Sequence, residues 1–512
     1  RKFPSIDTGP PWRRAAFALT SRTRAYERRG FIARECAPPH TAPTDRRAIP
    51  RGPQRMGFVP VIDSHAYSDC NQEVVVFGAA GRLNMRVTKD RHVSWSSLSV
   101  QDEEHAYTDI LDVHLLRPHQ HNDVHGQKVL IRRANREISL LRQDSDHKTF
   151  EVVQTFLTDR SKMIDCMSSS MASEPLLAVV DTGSVQLFDL CSEEAEVKPI
   201  DIVPVQMHSA TRQRTRAARF LSNSRLVLAG QHLEGRTRAP IEVFSIRPEG
   251  LVEESLRATQ ILEAPESKFF KGRHSANVLY PVGSDNQSNL ILSGWTDGIV
   301  RLFDLRAGTQ PVQEYWDPVD DGQILSLSCV GQERFFAGSH QNACLKIFDM
   351  RMGACQYSYM TTQAPSPKPK RNINVFLALN VRPAQRTFDP LPAPNPKLPR
   401  YRGSIYSLSS PSSGSTSIYA GIENHVVELD FVNSDDLLTD RGHTATHMLD
   451  KRPILNLSCY ERPRSGKEST DAVLLRKQIS WDAYEQGARG NEPGWDDRCR
   501  LETTSRWARA RR

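Results

Sequence analysis

The chain has 512 residues, 38% of them hydrophobic and 25% charged, and no stretch approaches the roughly 18 consecutive apolar residues a membrane helix needs, so a helical membrane protein is excluded. Its formal net charge of +7 is unevenly placed: residues 1–57 hold twelve Arg and one Lys against four acids, a net of +9, which leaves −2 for the remainder. Nine cysteines run from Cys36 to Cys499 without a CxxC pair or any metal-ligand spacing, which argues against a zinc module and favours free thiols in a reducing compartment, cytoplasm and/or nucleus.

In chain order, residues 1–35 read as a short basic helical flank and residues 36–57 as a Pro/Arg-rich linker without periodicity. From residue 58 to 461 a unit recurs in which an apolar run meets a Gly/Asp/Asn turn and an alternating run then ends in an acid. Glycine or Asp/Asn supplies the turn's positive φ, and period-two alternation buries one side of the strand, so each unit is a β-hairpin. The seven copies are Val74 to Val87, Lys128 to Leu141, Leu176 to Leu190, Leu226 to Ser245, Asn289 to Leu305, Arg334 to Met350 and Ile418 to Val432.

Further apolar strands precede most copies, at Ile110 to Leu116, Met163 to Met167, Ala217 to Leu221, Ala276 to Tyr280, Ile324 to Cys329 and Ile405 to Leu408. With an outer strand after each hairpin, every unit becomes a four-stranded sheet. Copy starts about 45 to 65 residues apart match a propeller blade with surface insertions, and the near absence of a 3.6-residue period rules against helical arrays. The predicted fold is all-β, a seven-bladed β-propeller with a short helical amino-terminal flank. An eighth blade, or a closing strand supplied from the carboxyl end, is left open by Ile454 to Cys459 and Ala472 to Leu475. Residues 363–400 are expected to be a Pro-rich mobile insertion between blades six and seven, with Asn374 to Leu379 adding an edge strand, and 462–512 a polar, Arg-rich disordered tail.

Phe303-Asp304-Leu305-Arg306, Phe348-Asp349-Met350-Arg351 and Phe188-Asp189-Leu190 resemble the WD-repeat family, with Phe in place of the usual Trp. That resemblance implies a blade network of His, Ser, Asp and Trp, here His274, Ser293, Asp297 and Phe303, shortened because a phenyl ring cannot donate the last bond. Gly403 to Pro411 with Ile418 to Phe431 resembles the last blade of fungal F-box propeller proteins, and Trp12 to Arg29 is similar to their helical connector, although the F-box motif itself is not found in these residues. The resemblance implies the substrate-recognition subunit of an SCF-type ubiquitin ligase, with a Skp-type adaptor and a cullin as partners.

In such a ring the loops entering the inner strands and the turns between second and third strands emerge on one face. Arg212, Arg214 and Arg216 therefore converge with Arg236 and Arg238, next to Lys268, Lys271 and Arg273 of the following blade and Arg132, Arg133 and Arg136 of the second. Guanidinium forks suit an acidic or phosphorylated peptide, and Trp295 would be an aromatic anchor on that rim. Solvated loop charges paired with Glu234 or Glu266 are the bland alternative. No phosphate loop, nucleophile elbow or convergent acid–base set is found, so the expectation is a non-catalytic protein-binding propeller without cofactor or metal. The competing reading is a scaffold of a multiprotein or RNA-associated complex, its basic flanks touching phosphates; the flank has few aromatics and no nucleic-acid module, which disfavours direct nucleic-acid recognition.

Overall fold

A computed structural model describes, with short intervals excepted, residues 58–351 and 404–431, together with 32–36, 38, 375–378, 456–460 and 475–477. Its first strand, β1 (Ile32–Glu35), stands apart from the rest of the order. Blade one is β2 (Val61–Tyr67), β3 (Gln72–Ala79), β4 (Arg82–Lys89) and β5 (His92–Leu98); blade two is β6 (Ile110–Leu115), β7 (Lys128–Arg133), β8 (Ile138–Asp144) and β9 (Thr149–Phe156). Blade three comprises β10 (Ile164–Ser169), β11 (Leu176–Asp181), β12 (Ser184–Asp189) and β14 (Asp201–Pro204), while the two-residue β13 (Glu196–Val197) between its last two strands joins the outer edge of blade two. Blade four has β15 (Gln213–Ser222), β16 (Arg225–His232), β17 (Ile241–Ser245) and β18 (Gln260–Leu262); blade five has β19 (Ala276–Val282), β20 (Leu290–Trp295), β21 (Val300–Asp304) and β22 (Gln313–Tyr315). Blade six runs β23 (Ile324–Val330), β24 (Arg334–Ser339), β25 (Cys344–Asp349) and β26 (Val375–Ala378), and blade seven β27 (Ile405–Ser409), β28 (Ser417–Ile422) and β29 (His425–Asp430). Two late strands, β30 (Asn456–Tyr460) and β31 (Leu475–Lys477), extend blade six outward.

The described residues thus form seven sheets, antiparallel apart from the short β13 on blade two, and the inner strands β2, β6, β10, β15, β19, β23 and β27 touch in succession, with β27 returning to β2. The ring is closed from the amino end. β1 lies antiparallel on β29, Ile32 opposite Asp430 and Glu35 opposite Val427, and becomes the fourth strand of blade seven. The helical flank expected over 1–35 therefore ends in a strand, with residues 1–31 outside the described residues. The carboxyl-terminal strands widen blade six instead of closing the ring, and no eighth sheet is present among the described residues.

Each junction between blades has its own apolar core, because a sheet whose two faces are both apolar can bury them only against neighbours. Between blades two and three, Leu130, Leu140 and Phe156 meet Met167, Leu177 and Phe188; between blades six and seven, Phe336, Leu345 and Ile347 meet Ile405, Ile418 and Leu429. The same holds round the ring to the junction of blades seven and one, where Tyr419 and Val426 meet Val75, Phe77 and Cys36.

Polar side chains cross every junction. The Leu115 N–H donates to Asp63 Oδ2 (2.8 Å), Arg132 Nη1 to Ile164 O (3.2 Å), the Thr215 N–H to Asp165 Oδ2 (3.0 Å) and Arg225 Nη1 to Asn289 Oδ1 (3.0 Å). Asn277 Nδ2 donates to Ile324 O (3.1 Å), Ser326 Oγ to Ile405 O (2.9 Å) and Ser407 Oγ to Pro60 O (2.7 Å), which completes the circle. Six inner strands carry a register shift near their start, at Leu111, Asp165, Arg216, Asn277, Leu325 and Tyr406. Such a bulge turns the strand's first residues toward the next blade.

Where the bulged start meets the preceding sheet, the second strand often carries glycine. A Cβ at Gly338 would lie 2.3 Å from Ser326 Oγ and 2.8 Å from Ile405 Cγ2, and one at Gly294 would lie 2.5 Å from Ile324 Cγ2. Gly338→Val should accordingly lower stability by about 1–3 kcal/mol through overpacking, read as an earlier urea midpoint with an unchanged slope. At the closing junction, Arg86 of β4 bonds Glu428 Oε2 (2.8 Å) and the Tyr419 hydroxyl and lies 5.2 Å over the Tyr419 ring, while Tyr419 donates to Glu73. Arg86→Met would leave two buried carboxylates without their cation, and a loss of about 3–5 kcal/mol in chemical denaturation is expected.

Candidate functional site

The expected blade-five network is present in altered form. His274 Nδ1 lies 3.7 Å from Asp297 Oδ2, and Asp297 accepts two bonds from the Arg301 guanidinium, at 3.2 Å and 2.8 Å. Arg301 is fully buried, bonds Glu314 (2.8 Å) and sits 5.0 Å over the Trp295 ring. Phe303 packs into the core between blades four and five, and the indole it lacks is supplied by Trp295, whose Nε1–H donates to Ser293 Oγ (2.7 Å). Ser293 in turn donates to Arg301 O (3.1 Å). Trp295 is therefore no rim anchor. At 0% exposure it is wholly inside, because it ends β20 opposite the buried Ala276 and so faces the sheet's interior.

Arg133 is corrected in the same way. It is 6% exposed, and its Nη1 donates to Gly81 O (3.1 Å) and Thr108 O (2.8 Å), so it ties blade two's turn to blade one. Burial lowers its pKa, since desolvation outweighs the pull of Glu137. Arg136 is half-buried in the β7–β8 turn with a left-handed φ of 72°, and Arg214 and Arg216 are exposed at the start of β15. Arg212, Arg236, Arg238, Lys268, Lys271 and Arg273 lie outside the described residues.

What the described rim does bring together is apolar as well as basic. Tyr107, Leu111 and Met163 are 51%, 44% and 49% exposed at the starts of blades two and three. The structure connects them: the Ala134 N–H donates to Asp109 O (2.8 Å), the Ser161 hydroxyl and N–H, aided by Lys162 and then Arg136, hold the Asp159 carboxyl below its usual range, and Arg214 touches both Met163 Sδ (2.7 Å) and Asp165 (3.3 Å). One surface thus runs from Tyr107 across the β7–β8 turn to Arg214 and Arg216. The sequence reading places Leu111 and Met163 inside strands and does not single out Tyr107; Leu111 occupies the bulge where alternation breaks, and Tyr107 precedes it.

Below this rim the inner strands carry charge of both signs. Asp63, Asp112 and Asp165 are set beside Arg117 (3.6 Å from Asp63), Arg132 (3.7 Å from Asp112) and Arg214. Opposite charges at these distances offset one another, and among the described residues no group of three or more His, Cys, Asp or Glu could hold a metal. His114 Nε2, 3.5 Å from Asp112, makes no hydrogen bond. Burial pushes its pKa below the usual 6.5 despite Asp112, with Arg219 adding to the depression. The unfolded imidazole takes up its proton near 6.5 and the folded one only at lower pH, so the stability held by neutral His114 is complete above that value and drains away as pH falls toward the folded pKa. His114→Asn should flatten the fall of stability below pH 6.5, measured by urea unfolding across the acid range.

No family model matches the chain. It is 33% identical over 105 residues to the guanine nucleotide-binding protein subunit beta of Oryza sativa subsp. japonica, and 32% to that of Zea mays, in each case 20% of this chain and 26% of the relative. The chain thus spans about a quarter of the length of these curated relatives. Among solved structures it is similar to Sqt1 of Chaetomium thermophilum (TM-score 0.43, 11% identity, 72% of this chain and 80% of that one). It is also similar to U3-55K (0.45, 12%, 74% and 97%) and to a chain of the mitotic checkpoint complex (0.44, 13%, 73% and 89%). With its seven sheets in a closed ring and Phe-Asp at the ends of three third strands, the chain is a WD-repeat-like seven-bladed β-propeller.

Proposed function

We propose that the chain is a non-catalytic interaction propeller whose upper rim over blades two to four binds an acidic or phosphorylated segment of a protein partner. The observation that carries this reading is the continuous exposure of Tyr107, Leu111 and Met163 beside Arg136, Arg214 and Arg216. Aromatic and aliphatic side chains flanked by guanidinium groups are the composition of protein-binding hot spots, and arginine forks match carboxylate and phosphate oxygens. Arg212, Arg236, Arg238, Lys271 and Arg273 belong by sequence to segments that enter or turn at this same end of blades four and five, which would deepen the positive field.

Within that role we assign the chain to substrate recognition in an SCF-type ubiquitin ligase, working in cytoplasm or nucleus with a Skp-type adaptor and a cullin. The support is the resemblance of 403–431 and of Trp12 to Arg29 to F-box propeller proteins. A scaffold in an RNA-associated complex is the competing assignment, supported by the +9 flank and the Arg-rich 506–512 end. Co-purification of adaptor and cullin at stoichiometric levels is the expected outcome in cells. Their absence, with partner retention that is lost on nuclease treatment, would favour the scaffold. For the rim itself, Arg214→Ala with Arg216→Ala should weaken capture of a phosphorylated acidic peptide by about 1–3 kcal/mol, with a further loss from Tyr107→Ala, in fluorescence titrations. Unchanged affinity in the triple variant would remove this surface from the binding site.

A further inference from the structure

On the ring's outer circumference, blade three hands a strap to blade two. Its β13 pairs in parallel with β9, Glu196 opposite Thr155 and Val197 opposite Phe156, before the chain returns to β14 on its own blade. The Thr155 N–H donates to Ala195 O (2.8 Å), the Leu157 N–H to Val197 O (2.9 Å), and the Gln154 side chain to Ser192 O. Val197 and Phe156 are buried beneath it, so the strap is a fixed part of the ring.

The strap and the edges it joins leave aliphatic side chains in solvent. Leu157, just after β9, and Ile200 and Ile202, at and beside the start of β14, are 37%, 57% and 55% exposed, although both isoleucines belong to a rigid edge where polar residues would be at no disadvantage. Around them Glu193, Glu194 and Glu196 are exposed, and residues 193–202 contain four acids against the single Lys198. An aliphatic centre with an acidic border fits an amphipathic segment of opposite charge.

This chain contains such a segment. Trp12 to Arg29 has six Arg against one Glu, interleaved with Trp12, Phe17, Leu19 and Tyr26, and belongs to a flank of +9 on a molecule whose remainder is −2. After two intervening residues comes β1, which is fixed on blade seven, two blades by the shorter way round from blade two, where the strap lies. We propose that the strap over blades two and three is the docking surface for the Trp12–Arg29 segment of a second copy of this chain. Reciprocal exchange of the two segments would close a dimer, and one-way docking would give an open chain of copies.

Sedimentation velocity on the full chain tests this. Association that rises with protein concentration is expected, falling about tenfold or more in strength between low and high salt because the contact is charge-steered. The Glu193→Lys, Glu194→Lys, Glu196→Lys variant and, separately, Ile200→Ser with Ile202→Ser should each weaken it by a similar factor. These side chains are exposed, so both variants should keep the wild-type thermal midpoint. A synthetic Trp12–Arg29 peptide in excess should dissociate the assembly. A chain that stays monomeric at every concentration, or one whose association ignores both strap variants, overturns the proposal. A monomer whose strap is nonetheless protected from peptide binding by its own amino-terminal segment would overturn the assignment to a second copy.

Discussion

A blade of this chain cannot end. Its sheet is apolar on both faces, and wherever a face met water the loss would be of order 25 cal/mol for each Å² left wet. The only arrangement that leaves no wet face is a circle, so the last sheet must return to the first. Here that return is made by a four-residue strand from the amino end laid on β29, above the smallest of the described junction cores. With less apolar area, this junction relies on Arg86, Glu428, Tyr419 and Glu73, a charged set whose members are shielded from water and satisfy one another. Ion pairs of this kind add little net stability over an apolar substitute, but they reject misaligned partners because any slip strands a charge.

The other junctions divide labour in a regular way. Apolar side chains fill the gap between sheets, and polar side chains at each junction fix their relative height by bonding the neighbour's backbone or side chain. Glycines at 78, 294, 338 and 421 admit the incoming residue of the next blade where any Cβ would collide. Blade five shows how tolerant this scheme is of substitution. Its third strand has Phe303 where an indole donor is usual, yet the serine is still satisfied because Trp295, on the neighbouring strand, reaches the same hydroxyl.

Much of the ring was legible because its hairpins are local: apolar run, Gly/Asp/Asn turn and alternating run lie within about 17 residues, and period-two burial does not depend on distant contacts. The strand at Val375–Ala378 was visible as an apolar run, although it lies inside blade six's widened sheet, with β30 on its outer side, and is not an edge. The closing strand was not, since Ile-Ala-Arg-Glu has no alternation of its own and is a strand only because β29 offers a free edge. Arg133 and Trp295 were misplaced for a related cause. Both stand at the ends of strands beside turns, where sequence gives the rim's vicinity but the side chain's direction is decided by the bulged strand of the same blade or the turn of the preceding one. The exposed Tyr107, Leu111 and Met163 carry no sequence signal, because an apolar residue beside a strand start reads as core until the sheet geometry is known.

The pairing of Ile32 with Asp430 also sets an order of events in the cell. A ribosome delivers the first of these residues long before the second, so the ring cannot close until blade seven has emerged, and its outermost strand waits unpaired while nearly four hundred residues are made. During that interval the exposed flanks of blades one and six are open to neighbours, and a chaperone that shields them would shorten a hazardous stage of biogenesis.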